Sequence, residues 1–191
     1  MTDTLAAEIN AIARLEGSFL LRSGQTSSHY FDKYRFEAEP ALLARVAARM
    51  LTLLPPDTQV LAGLELGGVP IATAMSLQSG LPAVFVRKAA KPYGTRRAVE
   101  GGDISGRKVT IIEDVITTGG AVADAAGLLR GDGAELLAVV CAIWRGQGEP
   151  AIAALPGLPV LPALTEAQLS AGLWGGGEPS PTPAAPPPPS A

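Results

Sequence analysis

The fold turns on Val109-Thr110-Ile111-Ile112-Glu113-Asp114-Val115-Ile116-Thr117-Thr118-Gly119-Gly120-Ala121. Residues 109–112 are mostly β-branched and predict a buried strand. Two adjacent carboxylates follow at its carboxyl end, and a turn of hydroxyls and glycines then opens a helix. Ligands of open α/β sheets bind beyond the carboxyl ends of the strands. Residues 117–120 lack bulk, so their backbone N–H groups can wrap an anion, and the following helix adds its positive N-terminal end. Carboxylates beside such a turn would repel phosphate. Their presence makes sense if they accept hydrogen bonds from sugar hydroxyls or help hold a metal–diphosphate complex. A sugar phosphate satisfies both halves of the motif. An ordinary strand–turn–helix with a capping Asp or Thr requires neither the paired acids nor Thr-Thr-Gly-Gly.

Outward from this stretch, strands alternate with helices. Residues 59–64 form a short apolar run closed by Gly67-Gly68, and 70–77 read as a helix ending near Gly80. Strands are expected at 83–87, 108–112 and 136–143, with a helix over 119–130. A last strand at 160–164 and a turn of helix at 166–169 complete the series. Residues 88–103 read as a long polar loop. Upstream, 5–15 read as a helix ended by Gly17, 19–36 as short strands and a loop, and 40–54 as a helix started by Pro40. Such alternation implies an α/β domain with a mainly parallel sheet covered on both faces.

The bulk numbers agree. The 191 residues suffice for one domain with a core. Aromatics are only 5% of the chain, so the core must be built from Ala, Leu, Val and Ile. The formal net charge of −3 argues against a broad nucleic-acid surface, though a small basic patch can still take a small anion. Cys141 is the sole cysteine, which excludes an internal disulfide and is compatible with a reducing, cytoplasmic setting. The N-terminal residues carry Asp3 and Glu8 without a long apolar run, so neither a signal peptide nor a membrane anchor is expected. Residues 1–173 form the expected single domain. Residues 174–191, rich in Gly and Pro, are expected to be disordered because they cannot bury enough apolar surface.

The stretch 109–121 resembles the signature of the type I phosphoribosyltransferases. The resemblance implies that family's fold: a central, mainly parallel sheet, helices on both faces, and a small N-terminal hood to which about residues 1–36 contribute. It implies phosphoribosyl pyrophosphate (PRPP) as donor. Glu113 and Asp114 would contact its ribose hydroxyls. Val115, Ile116, Thr117, Thr118, Gly119, Gly120 and Ala121 would hold its 5-phosphate.

Other segments are similar to the family members that act on orotate. Phe19-Leu20-Leu21-Arg22-Ser23-Gly24, then Ser28-His29-Tyr30-Phe31-Asp32, looks like the segment that covers the base pocket. By that likeness Arg22 offsets the orotate carboxylate and Phe31 stacks on the ring, with Thr117 and Arg145 also on the orotate side. Trp144 stands where an acidic residue often precedes that arginine. Residues 86–95 resemble the mobile catalytic loop. Arg87, Lys88 and Lys91 place three cations within five positions, suited to a diphosphate. Lys91 is the expected catalytic residue that meets the leaving group. Tyr93 stands where many members carry His; it can donate a hydrogen bond but carries no positive charge at neutral pH. In the family this loop reaches the neighbouring subunit, which implies a homodimer. Glu65, Gly67 and Gly68 fall in the loop that contacts pyrophosphate, and Gly67 stands where some members have Lys.

The implied reaction exchanges pyrophosphate for the orotate ring nitrogen at the anomeric carbon, giving orotidine 5′-monophosphate for pyrimidine synthesis. Mg²⁺ is expected to arrive mainly on PRPP rather than at a protein metal site. A phosphoribosyltransferase for another nucleobase, or a non-catalytic PRPP-sensing regulator, would share the signature. No nucleic-acid or membrane partner is expected. Gly101 to Lys108 has a Walker-like outline but precedes a strand, so it is rejected. His29 is the only histidine and is expected to bind no metal, and Cys141 is expected to be a buried apolar filler.

Overall fold

The structure, a computed structural model, describes residues 3–20, 24–88 and 98–171. The first helix, α1 (Thr4–Ala13), starts where the Asp3 side chain accepts hydrogen bonds from the Leu5 and Ala6 amides. It ends two residues before the expected Leu15. Arg14 and Leu15 instead pair with Phe31 and Tyr30, as β1 (Arg14–Leu20) and β2 (Thr26–Phe31) form an antiparallel hairpin. Cross-strand pairing outweighs the helical spacing of Leu15. A short α2 (Tyr34–Glu37) and α3 (Pro40–Leu51) follow, the latter with Pro40 in its first turn.

The main sheet then builds up as β3 (Val60–Leu64), α4 (Gly68–Ser79), β4 (Ala83–Val86), β5 (Val99–Glu100), β6 (Lys108–Ile116), α5 (Gly120–Gly131), β7 (Glu135–Trp144), β8 (Val160–Thr165) and α6 (Glu166–Ala171). Its strand order is β5-β4-β3-β6-β7-β8. All neighbours are parallel except β5, which runs antiparallel to β4 and lies inside the segment expected to be wholly loop. β6 also runs past its expected end, so Glu113 and Asp114 belong to the strand itself. The β6–β7 ladder carries them: Glu113 is in register with Cys141 and Ile116 with Trp144.

Strand alternation divides the core into two layers. Val60, Ala62, Val109, Ile111, Val139 and Cys141 pack toward α5. Leu61, Ile112, Val140 and Ala142 pack toward α1, α3 and α4. With both faces covered, the central strands can be apolar throughout. The expected aliphatic core is present, with Phe36 its largest fully buried side chain.

The strand order also fixes where a ligand can sit. From β3 the chain steps outward to β4, then returns across β3 to place β6 on the other side. The connections leaving β3 and β6 therefore diverge to opposite faces and open a crevice between their carboxyl ends.

The one polar residue in the 109–112 run has a specific partner. The Thr110 hydroxyl lies 2.8 Å from that of Thr58, and both side chains are buried. Thr110→Val should therefore destabilise the fold by about 1–3 kcal/mol, by leaving Thr58 unpaired. The double variant Thr58→Val/Thr110→Val should recover part of that loss. Urea midpoints of the four proteins in the cycle check this.

Candidate active site

The crevice is floored by β6. Its two acids adjoin each other at the strand end but reach different neighbours. Glu113 joins the wall of a cavity of about 140 Å³ formed with the 115–122 turn. Asp114 points to α2, where its Oδ2 lies 2.6 Å from Lys33 Nζ and its Oδ1 accepts from the Val115 amide at 2.5 Å. Glu113 is 8% exposed and Asp114 0%.

Burial at this density separates their titrations. Burial first, then neighbouring Asp114, pushes the Glu113 carboxyl up to about 9. Burial would raise Asp114 too, but hydrogen bonding with Glu113 and pairing with Lys33 hold it below its ordinary value. At neutral pH the strand end thus presents one protonated and one ionised carboxyl. That pairing can both donate to and accept from vicinal hydroxyls.

The turn beyond β6 has an anion-binding shape. Gly119 adopts φ +79°, and a Cβ there would come within 2.6 Å of Ile152, so both backbone and space call for glycine. No side chain caps the first turn of α5. The Thr117 and Thr118 side chains and the Gly120 backbone are exposed on the cavity side. The amides of this helix start are consequently open to a phosphate.

Opposite this turn, the Glu65–Gly68 loop leaves β3. A Cβ on Gly67 would fall 1.7 Å from Asp114 Oδ2 and 2.8 Å from Glu37 Oε1. Bare backbone therefore lies directly on the Asp114 carboxylate, and a lysine would not fit there without displacing it. Glu65 Oε1 accepts a hydrogen bond from the Lys88 amide at 2.9 Å, tying the loop to the end of β4. A second cavity of about 300 Å³ brings Glu65, Arg87 and Lys88 together with Asp124 of α5.

The hairpin contributes the third wall. Phe31 ends β2 and Arg145 follows β7; the guanidinium lies 5.6 Å from the centre of the Phe31 ring. Arg145 also pairs with Glu166 at 2.8 Å. Both border a cavity of about 430 Å³, the largest of the three, whose wall also includes Arg14 and His29. His29 is exposed, and Cys141 is buried with burial pushing its thiol titration up.

Three sets of the residues singled out from sequence thus assemble at the carboxyl ends of the strands: the β6 acids with the 115–121 turn, the 65–68 loop with Arg87 and Lys88, and Phe31 with Arg145. Arg22, Lys91, Tyr93 and the 174–191 tail lie outside the described residues. Lys33 and Glu37 were not foreseen. The available signal was a basic residue directly after Asp32 in the aromatic segment, followed four residues later by an acid on the buried side of α2.

Comparison with known proteins agrees with this geometry. Residues 36–156 match the family model described as the phosphoribosyl transferase domain. The chain belongs to that family. An orotate phosphoribosyltransferase from a Nocardioides species is 60% identical over 169 residues, 88% of this chain and 94% of that protein. The orotate phosphoribosyltransferase of Mycobacterium tuberculosis, solved with Fe(III) dicitrate, superimposes with a TM-score of 0.77 at 32% identity, covering 86% of this chain and 96% of the other. The same enzyme solved with PRPP gives 0.73 at 29% identity, covering 87% and 96%. Within the family, the chain's particular branch is that of the orotate phosphoribosyltransferases.

The buried acids make stability pH-dependent. Glu113 and Glu37 both titrate higher in the fold than the ordinary glutamate value, at about 9 and about 8. The folded state therefore holds extra protons from about pH 4.5 upward, and stability declines as pH rises through that window. The urea midpoint should be lower at pH 9 than at pH 6, and Glu113→Gln should flatten that difference, by at least about 1 kcal/mol at pH 9.

Proposed function

We propose that the crevice transfers the 5-phosphoribosyl group from PRPP to orotate, with the β6 acids on the ribose and the 115–121 turn on the 5-phosphate. The observation that carries this reading is the juxtaposition of paired carboxyls with an uncapped, glycine-lined helix start. One half suits sugar hydroxyls, and the other suits a phosphate. Bond cleavage at the anomeric carbon leaves an electron-poor ribose and an anionic pyrophosphate. The protein's task is to position the reactants and stabilise those charges. Orotate is already an anion, so no strong protein base is required.

The diphosphate takes the 65–68 loop backbone, and the 300 Å³ cavity that Glu65 of this loop shares with α5 extends its seat. Arg87 and Lys88 offer cations to its oxygens. The oxygen donors of Glu65 and Asp124 fit the water shell of a Mg²⁺ carried in on PRPP, an ion that would neutralise diphosphate charge. Orotate takes the hairpin side, where Phe31 offers a ring face, Arg145 and Arg22 a positive field for its carboxylate, and Thr117 a hydroxyl. Lys91 meets the leaving group, with Tyr93 as a neutral donor beside it. In this reading the 86–95 loop serves the partner subunit of a homodimer, and the enzyme works in the cytoplasm. No helix among the described residues is long and apolar enough to cross a membrane.

The direct test is loss of orotate absorbance with PRPP and Mg²⁺, set against adenine, uracil and xanthine. Consumption of orotate alone is expected; consumption of another base, or PRPP binding without turnover, would overturn the assignment. Asp114→Asn should raise the PRPP KM by about tenfold or more while changing that of orotate by less than about threefold. Steady-state kinetics with each substrate varied check this, and the reverse pattern removes Asp114 from the ribose role. Lys91→Ala should lower kcat about 10²-fold and leave orotidine monophosphate binding nearly unchanged. Equal losses in turnover and product affinity would exclude a transition-state role.

A further inference from the structure

Three acidic side chains lie near one another beneath the crevice, and among the described residues Lys33 is the cation that pairs with one of them. Asp114 and Glu113 come from β6 and Glu37 from α2; Lys33, immediately before α2, pairs with Asp114. Glu37 is 7% exposed, and its Oε1 has no hydrogen-bond partner among the described residues. The position a Gly67 Cβ would take lies within 2.8 Å of both the Asp114 and Glu37 carboxyls. The absent side chain of Gly67 thus leaves the loop backbone packed close to both acids. A diphosphate seated on that backbone would meet whatever net charge they carry.

We propose that Lys33 and Glu37 are positioning residues for PRPP, holding Asp114 and the Gly67 backbone as one charge-balanced floor beneath the diphosphate. The proposal rests on the reading that the β6 acids and the 65–68 loop take PRPP. Lys33 is suited to the task. Its side chain is 32% exposed, so it borders solvent while holding a fully buried carboxylate. Burial would lower its titration, but Asp114 outweighs that and keeps it charged. Glu37 is suited in the opposite sense: burial first, then the Asp114 charge, pushes it up to about 8, so it is protonated at neutral pH. With Lys33 charged and Glu37 and Glu113 protonated, the floor carries Asp114⁻ balanced by Lys33⁺. Ionisation of Glu37 adds an uncompensated negative charge where the polyanion must sit.

The other charged groups around Glu37 leave this balance intact. Asp32 precedes Lys33 and acts on Glu37 in the same direction as Asp114. Tyr34, on α2 itself, has its ring 5.3 Å from Lys33 Nζ. Arg35 and Glu39 are exposed at the two ends of α2. From the packed helices, Asp3 and Glu8 of the α1 segment pair with Arg49 and Arg45 of α3. Buried Cys141 faces the β6 acids from β7.

The test is PRPP affinity, measured calorimetrically with Mg²⁺ on the full chain from pH 7 to 9.5. Over this range the PRPP phosphates are already ionised. Wild-type affinity should fall once pH passes about 8, approaching tenfold per unit at most. Glu37→Gln should move that onset up by about one unit, toward the range where Glu113 ionises. At pH 7.5, Lys33→Met should weaken PRPP by about 10–100-fold, Lys33→Arg should restore it to within about threefold, and orotate KM should change little in either. The double variant Lys33→Met/Asp114→Asn should bind PRPP no worse than Asp114→Asn, because Lys33 acts through Asp114.

An unchanged pH profile in Glu37→Gln, or additive losses in the double variant, overturns the proposal. Full PRPP affinity in Asp114→Asn would instead sink the ribose reading beneath it. A Lys33→Met loss with normal affinity in Asp114→Asn overturns the proposed route through Asp114. Should Lys33→Met unfold, the Lys33→Arg and Glu37→Gln pH profiles decide the matter.

Discussion

Burying Asp114 ionised beside Glu113 and Glu37 carries a large desolvation cost, and the segments near the crevice are arranged around it. A carboxylate taken out of water needs a counter-charge and hydrogen bonds, or it takes up a proton. Asp114 has both, from Lys33 and the Val115 amide, so it stays charged while its neighbours do not. This solution constrains three chain segments at once. β6 must run on to Ile116 to carry the acids, α2 must hold Lys33 and Glu37 against them, and the β3 loop must pass overhead without a side chain at Gly67.

The parallel sheet makes that arrangement possible. Because β6 sits beside β3 but follows β4 in sequence, the 65–68 loop and the 115–121 turn leave adjacent strands toward opposite faces. Each can then approach the crevice without excluding the other. The aliphatic layers on either side of β6 supply the rigidity. Ile111 and Ile112 are fully buried on opposite faces, so the strand end has little freedom to twist. A charge-stabilising site gains from such rigidity, since its dipoles need not reorganise as the reaction proceeds.

The 115–121 turn and the two acids before it were legible in sequence because their pattern is local. Glu113 through Gly120 are contiguous, and strand, acids and glycines each have a spacing that only one kind of site requires. Phe31 and Arg145 were legible only through resemblance; nothing in residues 114 positions apart states that an arginine will lie over an aromatic ring. Lys33 and Glu37 were not read from the sequence, where their only signal is a base and an acid spaced four apart after Asp32. Their meaning depends on α2 docking against the far side of β6, a contact between distant segments that leaves no periodicity. The end of α1 failed for a related reason. Leu15 fits a helix by spacing, and only its pairing with Tyr30 reveals a strand. The two-residue β5 is too short to signal itself and exists because β4 offers an edge.

Gly67 brings these threads together. From sequence, its glycine looked like the loss of a cation from a loop that must hold pyrophosphate. In the fold, the same glycine leaves room for Asp114, which a Cβ there would strike, and Lys33 pairs with that carboxylate from the start of α2. At Gly67 and Gly68 the loop is bare backbone, whose N–H groups lose no side-chain entropy on binding an anion. The 65–68 loop thereby meets the crevice with bare backbone at Gly67, beside a buried ion pair that is already ordered.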